Sequence, residues 1–272
     1  MILIIKYIPT SKKYVVKSQD LKLLREILKL FAFFDVTFIS DYNYREESVD
    51  CIITNDASRY MVVINKGKNM VYTFNQALGF TVRKILEVLS DEAEDHFFIH
   101  GGCVEKGGNV TCLLGKTKSG KSTITNALCN LNFNYLTDDL ICISKKGIVS
   151  SFPKPIFLRE KLKVNNNIKF INVIEYEDEF RYCYLPKQYV ISTKPLMINN
   201  IILLNRDDFF NFSCVKLSFA QAFIKIWENM YNNRNIVEKR EIAINLAKQA
   251  DVYQVYYNDF FFEFRDFKKL LW

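Results

Sequence analysis

Residues 110–123 read V-T-C-L-L-G-K-T-K-S-G-K-S-T, which is an apolar run followed by a loop that contains two glycines. The run Val110 to Leu114 predicts a strand, and residues Ser122 to Leu131 predict an amphipathic helix. Between them the chain matches the pattern G-x-x-x-x-G-K-[S/T] with Gly115, Gly120, Lys121 and Ser122. A strand, a glycine-bearing loop and a helix in this order predict a mixed α and β fold with a phosphate-binding loop.

The residue types in this loop suit the phosphates of ATP. Glycine at both ends lets the loop curl, so that backbone N–H groups and the positive end of the following helix point at phosphate oxygens. Lys121 supplies a positive charge for the β and γ phosphates, and the Ser122 hydroxyl is a ligand for Mg²⁺. The predicted nucleotide-binding residues are Gly115, Lys116, Thr117, Lys118, Ser119, Gly120, Lys121, Ser122 and Thr123.

Two adjacent acids, Asp138 and Asp139, follow the next predicted strand, Tyr135 to Thr137. The carboxyl ends of neighbouring parallel strands lie side by side, so both acids are expected near the γ phosphate. Neighbouring residues of a strand point to opposite faces, which favours a division of roles between a Mg²⁺ ligand and a proton acceptor. The alternative is a simple turn in which the two acids cap the strand.

Both histidines of the chain, His96 and His100, lie shortly before the loop strand. His100 ends an apolar run and precedes Gly101 and Gly102, as a side chain presented at a strand end would. A lone histidine is more often structural than catalytic, and we give His96 that role. We place His100 in the candidate site because of the family resemblance described next.

Four segments, taken together, resemble the HPr kinase/phosphorylase family. They are the loop itself, I-H-G-G-C-V at 99–104, N-Y-L-T-D-D-L-I-C-I at 134–143 and F-P-K-P-I-F-L-R at 152–159. The similarity is greater to the short HPr-kinase-like proteins found beside lasso and other modified-peptide biosynthesis proteins. It spans roughly residues 97–160 and fades toward both ends of the chain.

This resemblance implies a nucleotide-binding core of the phosphoenolpyruvate carboxykinase type and the phosphorylation of a serine in a protein or peptide. It implies that Asp138 is the base, Asp139 a carboxylate on the metal side and His100 a contact near the transferred group, with the two acids exchangeable. Lys121 would bind the phosphates and Ser122 the Mg²⁺. The family's downstream phosphorolysis segment has no convincing counterpart here, so a kinase without phosphorylase activity is expected.

The predicted organisation has two domains. The acidic stretch Glu87 to Asp95 separates a small α+β domain, residues 1–95, from a catalytic domain of the HPr-kinase type, residues 96–272. The first 90 residues do not clearly match the N-terminal domain of that family, so docking of a different substrate is their expected role. Lys154, Arg159 and Arg181 are candidates for a second basic contact to the transferred group.

Three alternatives remain open at this point. The acceptor could be a small molecule such as free serine, or the chain could be a regulatory module that hydrolyses nucleotide. Asn205 to Asp208 superficially resembles the guanine-reading motif of GTPases, but Arg206 replaces its lysine. An inactive scaffold is disfavoured because the loop and both acids are intact.

Composition narrows the possible partners and location. The charge of +7 is spread among acids, which favours a solvated surface over a nucleic-acid module. The seven cysteines form no C-x-x-C pair, and the apolar start Met1 to Ile5 is too short for a signal peptide. We therefore expect a cytoplasmic protein with buried reduced thiols, without membrane or nucleic-acid partners. A homo-oligomer is not excluded.

Overall fold

The computed structural model describes residues 1–10, 12–40, 49–56, 59–64, 69–90, 96–159, 168–176, 179–186, 195–207, 212–231 and 236–258. This part of the chain holds five α-helices and eighteen strands arranged in three sheets. The protein is therefore mixed α and β, of the α+β class, which confirms the coarse fold prediction.

The chain divides into two compact units. The first contains Met1–Glu94 and Lys154–Leu185, and the second contains Asp95–Pro153 and Pro186–Trp272. The division after Glu94 lies one residue from the predicted boundary. In contrast, Lys154–Leu185, which we had placed in the second domain, groups with the first unit. The first unit is thus built from two separate stretches of sequence.

The first stretch of the first unit forms a six-stranded sheet with two helices. The elements are β1 (Ile2–Tyr7), β2 (Lys12–Ser18), α1 (Leu21–Leu30), β3 (Asp35–Ile39), β4 (Cys51–Asp56), β5 (Arg59–Ile64), β6 (Asn69–Tyr72) and α2 (Phe74–Ser90). The strand order is β3-β1-β2-β4-β5-β6. The helix predicted from Leu21 to Phe34 ends at Leu30. It begins where the Asp20 carboxylate accepts hydrogen bonds from the backbone N–H groups of Lys22 and Leu23.

The second unit begins with the predicted strand, loop and helix. The elements are β7 (His96–Ile99), β8 (Gly101–Lys106), β9 (Asn109–Gly115), α3 (Lys121–Asn130), β10 (Asn134–Thr137), β11 (Ile141–Ser144) and β12 (Ile148–Ser150). The sequence predicted one strand from Phe97 to Cys103. The structure has two, because the chain leaves β7 at His100 to enter another part of the sheet.

Three further strands, in the second stretch of the first unit, form a small sheet of order β13-β15-β14. They are β13 (Ile156–Leu158), β14 (Ile168–Tyr176) and β15 (Glu179–Pro186). β14 packs closely on α2, since a Cβ atom at Gly79 would stand 2.1 Å from the backbone oxygen of Glu175. The side chain of Gln76 also donates to the Glu175 carboxylate at 2.9 Å. These contacts explain why the segment groups with residues far away in sequence.

The rest of the second unit completes a nine-stranded sheet. Its elements are β16 (Leu196–Arg206), β17 (Ser213–Lys216), α4 (Phe219–Asn229), α5 (Ile236–Gln249) and β18 (Asp251–Tyr257). The main strand order is β10-β8-β9-β16-β12-β11-β7, with β18 paired to β16 and β17 paired to β18. Strands β9, β16 and β18 are parallel, so they end at the same edge.

The core of the second unit lies between this sheet and helices α4 and α5, where residues such as Ile201, Ile226 and Leu246 are buried. All seven cysteines are free thiols, and six of them are buried. None of the described helices is long and apolar enough to cross a membrane.

Candidate functional site

The loop between β9 and α3 needs glycine at both ends. Gly115 has a φ of 145°, and a Cβ atom there would stand 2.6 Å from the backbone oxygen of Leu204 and 2.7 Å from Ser119 Oγ. Gly120, the N-cap of α3, is left-handed with a φ of 82°. Lys118 is also left-handed, with a φ of 69°. The chain therefore reverses tightly over five residues and leads directly into the positive end of a helix.

Lys121 is turned back into this loop. Its Nζ donates to the backbone oxygens of Gly115 at 2.8 Å and of Lys116 at 2.9 Å, and the residue is 6% exposed. Burial lowers the pKa of Lys121, while the charges of Asp139 and Asp138 act in the opposite direction. The lysine and both predicted acids are therefore close enough to interact electrostatically.

The two acids occupy different environments. Asp138 is completely buried, whereas Asp139 is half-buried and has a left-handed φ of 63°. The backbone oxygen of Asp139 accepts a hydrogen bond from the N–H of Gly101 at 3.2 Å. The two residues therefore differ in their access to solvent and in backbone conformation.

One premise about these acids needs correction. We expected the strand before Asp138 to neighbour the loop strand β9 in a parallel sheet. Instead β8 lies between β9 and β10 and is antiparallel to both. Since β9 and β10 therefore run in the same direction, their carboxyl ends still reach the same edge of the sheet.

Gly102 makes room for helix α3 beside the acids. A Cβ atom at Gly102 would stand 2.1 Å from Thr125 Oγ1 and 3.4 Å from Asp138 Oδ1. Thr125 is fully buried, and its hydroxyl has no hydrogen-bond partner among the described residues. The glycine therefore lets a hydroxyl and a carboxylate meet the same short stretch of β8.

His100 stands at the break between β7 and β8 and is fixed from α4. Its backbone N–H donates to the oxygen of Asn229 at 2.8 Å, and Nδ1 lies 3.2 Å from the hydroxyl of Tyr231. The Tyr231 N–H donates to the Phe98 oxygen at 3.0 Å. The end of α4 is thus joined to the end of β7, which holds the histidine in place. Tyr231 was not predicted as a site residue from the sequence.

A cleft of about 700 Å³ opens beside the first half of the loop. Its wall contains Gly115, Lys116 and Thr117 of the loop together with His100. Strand β16 contributes Leu203 to Asn205, β18 contributes Gln254, and the end of α4 contributes Lys225, Glu228 and Asn229, followed by Met230 and Tyr231. The cleft therefore joins the loop to His100, in the size range of small-molecule sites.

A second tyrosine, Tyr257, also contacts the loop and was not predicted from the sequence. Its hydroxyl donates to the backbone oxygen of Ser119 at 2.6 Å, and the residue is 4% exposed. The two residues are 138 positions apart. No local pattern in the sequence could have connected them.

The remaining candidates fall in several places. Lys116, Thr117, Lys118 and Thr123 are exposed, whereas Ser122 is half-buried at the start of α3. Asn205 lines the cleft, and Asp208 of the GTPase-like segment lies outside the described residues. Lys154, Arg159 and Arg181 belong to the first unit, where Arg159 and Arg181 pair with Glu179 and Lys154 lies 4.3 Å from the Phe157 ring.

Ser122 and Asp139 are the residues near the loop that could help to hold Mg²⁺. Within the described ranges, no cluster of three or more His, Cys, Asp or Glu side chains could hold a metal ion. Mg²⁺ is commonly bound by one or two carboxylates together with substrate phosphates and water. Ser122 at the start of α3 and the half-buried Asp139 fit that pattern.

Comparison of the chain with models of known protein families and with curated proteins gives no match.

Proposed function

We propose that the protein is an Mg²⁺- and ATP-dependent kinase that transfers the γ-phosphoryl group to a serine or threonine hydroxyl of a peptide or small protein. The observation that carries the proposal is the glycine-bearing loop into which Lys121 Nζ is turned, at the sheet edge where the strand before Asp138 and Asp139 also ends. The resemblance of the loop, His100 and acid segments to HPr-kinase-like proteins supports the same activity and a core of that type.

Binding of the triphosphate would depend on the loop and Lys121. Phosphoryl transfer requires alignment and charge neutralisation more than covalent chemistry by the protein. Lys121 Nζ now donates to two loop oxygens, and it would exchange these bonds for phosphate oxygens. Bound Mg²⁺, held by Ser122, Asp139 and the phosphates, would supply further neutralisation of negative charge.

Asp138 is the proposed acceptor of the hydroxyl proton, and Asp139 serves on the metal side. The half-buried Asp139 suits a metal that also contacts phosphates and water, which leaves the fully buried Asp138 for the proton. Hydrogen bonds of a catalytic base often form only in the complex with substrate. The role therefore requires the acceptor hydroxyl to reach the Asp138 carboxylate as it binds.

The cleft beside Lys116 and Thr117 is the proposed site of the acceptor. His100 lines it and would donate a hydrogen bond to the transferred group or to the acceptor. Asn205, Asn229 and Gln254 also line the cleft. Their amide N–H groups donate to the Leu203 oxygen, the Lys225 oxygen and the Tyr256 hydroxyl, so it is their amide oxygens that would accept hydrogen bonds from a peptide backbone. The volume of about 700 Å³ is also compatible with a small molecule such as free serine, which is the second candidate acceptor.

An intact-mass assay tests this function. The purified protein is incubated with Mg²⁺, ATP and a library of serine- and threonine-containing peptides, then with free serine, with Lys121→Ala as the control. We expect a gain of one phosphate, about 80 Da for the added group, on peptides with the wild type alone. Phosphoserine as the only product would identify the small-molecule alternative. ADP without any phosphorylated acceptor would contradict kinase activity and favour a nucleotide-hydrolysing regulatory module.

A further inference from the structure

Tyr257 reaches the loop from a different strand of the parallel group. It is the last residue of β18 and lies opposite Arg206 of β16, while Leu204 of β16 lies opposite Gly115 of β9. The carboxyl ends of the three strands are therefore neighbours. Of these three strands, β18 is the one that is separated from β9 by β16. From β18, the buried Tyr257 hydroxyl donates to the Ser119 oxygen at 2.6 Å.

This hydrogen bond fixes the orientation of one peptide group. The oxygen of Ser119 and the N–H of Gly120 belong to the same planar trans peptide, so they point in opposite directions. If the oxygen is held toward Tyr257, the N–H of Gly120 must point away from it. Gly120 is the N-cap of α3, where backbone N–H groups lack partners within the helix and bind anions.

Gly120 and Tyr257 also fit each other sterically. A Cβ atom at Gly120 would stand 2.2 Å from the Tyr257 hydroxyl oxygen and 3.5 Å from its Cζ atom. Position 120 therefore requires glycine for two reasons. Its φ of 82° is left-handed, and the tyrosine occupies the space that a side chain would need.

We propose that Tyr257 is a positioning residue of the phosphate loop, whose hydroxyl orients the Ser119–Gly120 peptide so that the Gly120 N–H donates to a phosphate oxygen. The identity of the ligand as a polyphosphate rests on the proposed function. The orientation of the peptide rests on the hydrogen bond alone. In this role Tyr257 acts through the Ser119–Gly120 peptide, so loss of its hydroxyl should weaken binding of the phosphates and not of the remainder of the nucleotide.

Calorimetric titration with ATP and with inorganic tripolyphosphate, each with Mg²⁺ at one salt concentration, tests this role. Tyr257→Phe removes a single oxygen, and Tyr253→Phe removes the same group from the same strand away from the loop. We expect Tyr257→Phe to lower the affinity for both ligands by the same factor, about fivefold to tenfold, which is the effect of one net hydrogen bond. Tyr253→Phe should bind both ligands as the wild type does.

A second measurement observes the Gly120 amide group directly. The chain has nine glycines, so glycine-selective ¹⁵N labelling gives a spectrum simple enough to assign. Tripolyphosphate should shift the Gly120 amide signal strongly and that of Gly107, in the turn between β8 and β9, little. In Tyr257→Phe the Gly120 signal should move even before ligand is added.

The outcomes separate this proposal from the proposed function. Equal affinity of wild type and Tyr257→Phe, or an unshifted Gly120 signal on tripolyphosphate binding, would overturn the role of Tyr257 and leave the kinase proposal intact. An equal loss in Tyr253→Phe would also overturn it. Failure of the wild type to bind either ligand would overturn both proposals.

Discussion

The two units differ in the number of polar side chains that they bury. In the first unit the described buried polar residues are Ser18, Thr81 and Lys154. In the second unit they are Glu105, Thr111, Ser119, Lys121, Thr125, Asn126, Thr137, Asp138, Lys239 and Asn258. Since burying a polar or charged group is unfavourable without compensation, the second unit needs more hydrogen-bond or charge partners for its buried side chains than the first unit does.

Within the second unit, two buried lysines show that burial alone does not identify a site. Burial lowers the pKa of both Lys121 and Lys239. Lys239 Nζ donates to the backbone oxygen of Met230 and lies 4.6 Å from the Trp227 ring, which is a structural arrangement. Lys121 instead lies in a glycine-bearing loop and interacts with two acids. The neighbouring carboxylates, and not the burial, distinguish the candidate site.

The largest expected effect is the difference between substitutions at Lys121 and at Lys239. Lys121→Ala should reduce phosphoryl transfer by at least about 1000-fold, because it removes the charge closest to the phosphates. Lys239→Met keeps the length of the side chain and should lower the melting temperature without changing the affinity for ATP. Transfer rates and calorimetric ATP affinities of both variants check the comparison. Equal losses of ATP affinity would show that Lys121 has no special role.

The next largest effect concerns the two acids. Asp138→Asn should reduce turnover by about 100- to 1000-fold, the lower part of the range for loss of a general base, while ATP affinity changes by less than about threefold. Asp139→Asn should mainly raise the Mg²⁺ concentration needed for half-maximal rate. Steady-state kinetics over a range of Mg²⁺ concentrations distinguishes the two variants. Full activity of Asp138→Asn would contradict its role, and reversed phenotypes would exchange the two roles.

A smaller effect tests whether the first unit can be destabilised without a change in ATP affinity, which is assigned to the second unit. Gly79→Ala places a Cβ atom 2.1 Å from the Glu175 oxygen and should lower the free energy of unfolding by about 2–3 kcal/mol. Gly107→Ala is the control, since nothing lies within 4 Å of its Cβ position and only its φ of 60° opposes the change, at about 1 kcal/mol. Denaturant titrations measure both. A loss of ATP affinity in Gly79→Ala would contradict the division between the units.

The smallest expected effect concerns the contact between His100 and α4. Tyr231→Phe removes the hydroxyl that lies 3.2 Å from His100 Nδ1 and keeps the aromatic ring. Loss of one hydrogen bond should lower the transfer rate about fivefold, with ATP affinity unchanged. Single-turnover kinetics gives this rate directly. A stability loss with an unchanged rate would assign Tyr231 to the fold only.

The sequence predicted the elements whose signals are local. Helix α2 was expected from Gln76 to Leu89 and spans Phe74–Ser90, because its apolar residues repeat at helical spacing. The placement of Lys154–Leu185 in the first unit was not predicted. That placement depends on contacts such as the one between Gly79 and Glu175, whose partners are 96 positions apart in the sequence. The spacing of apolar residues predicts a single helix or strand, but it does not predict which other element packs against it.

The same limit applies to the candidate site. The loop was predictable because a positive φ at Gly115 and Gly120 restricts the residue type at those positions. Tyr257 and Tyr231 were missed because their contacts with Ser119 and His100 span 138 and 131 positions. Aromatic residues are common in strands and helix ends for packing reasons alone, so neither tyrosine was distinctive before the fold was known.

Under the proposed function, the loop and the two acids of the second unit transfer a phosphoryl group to a hydroxyl. Phosphorus NMR of a mixture of the protein, Mg²⁺, ATP and the serine and threonine peptides follows the γ phosphate directly. We predict that its signal is replaced by that of a phosphate ester with the wild type, and that it remains unchanged with Lys121→Ala. Conversion to inorganic phosphate alone, or no consumption of ATP by the wild type, would rule out the proposed kinase activity.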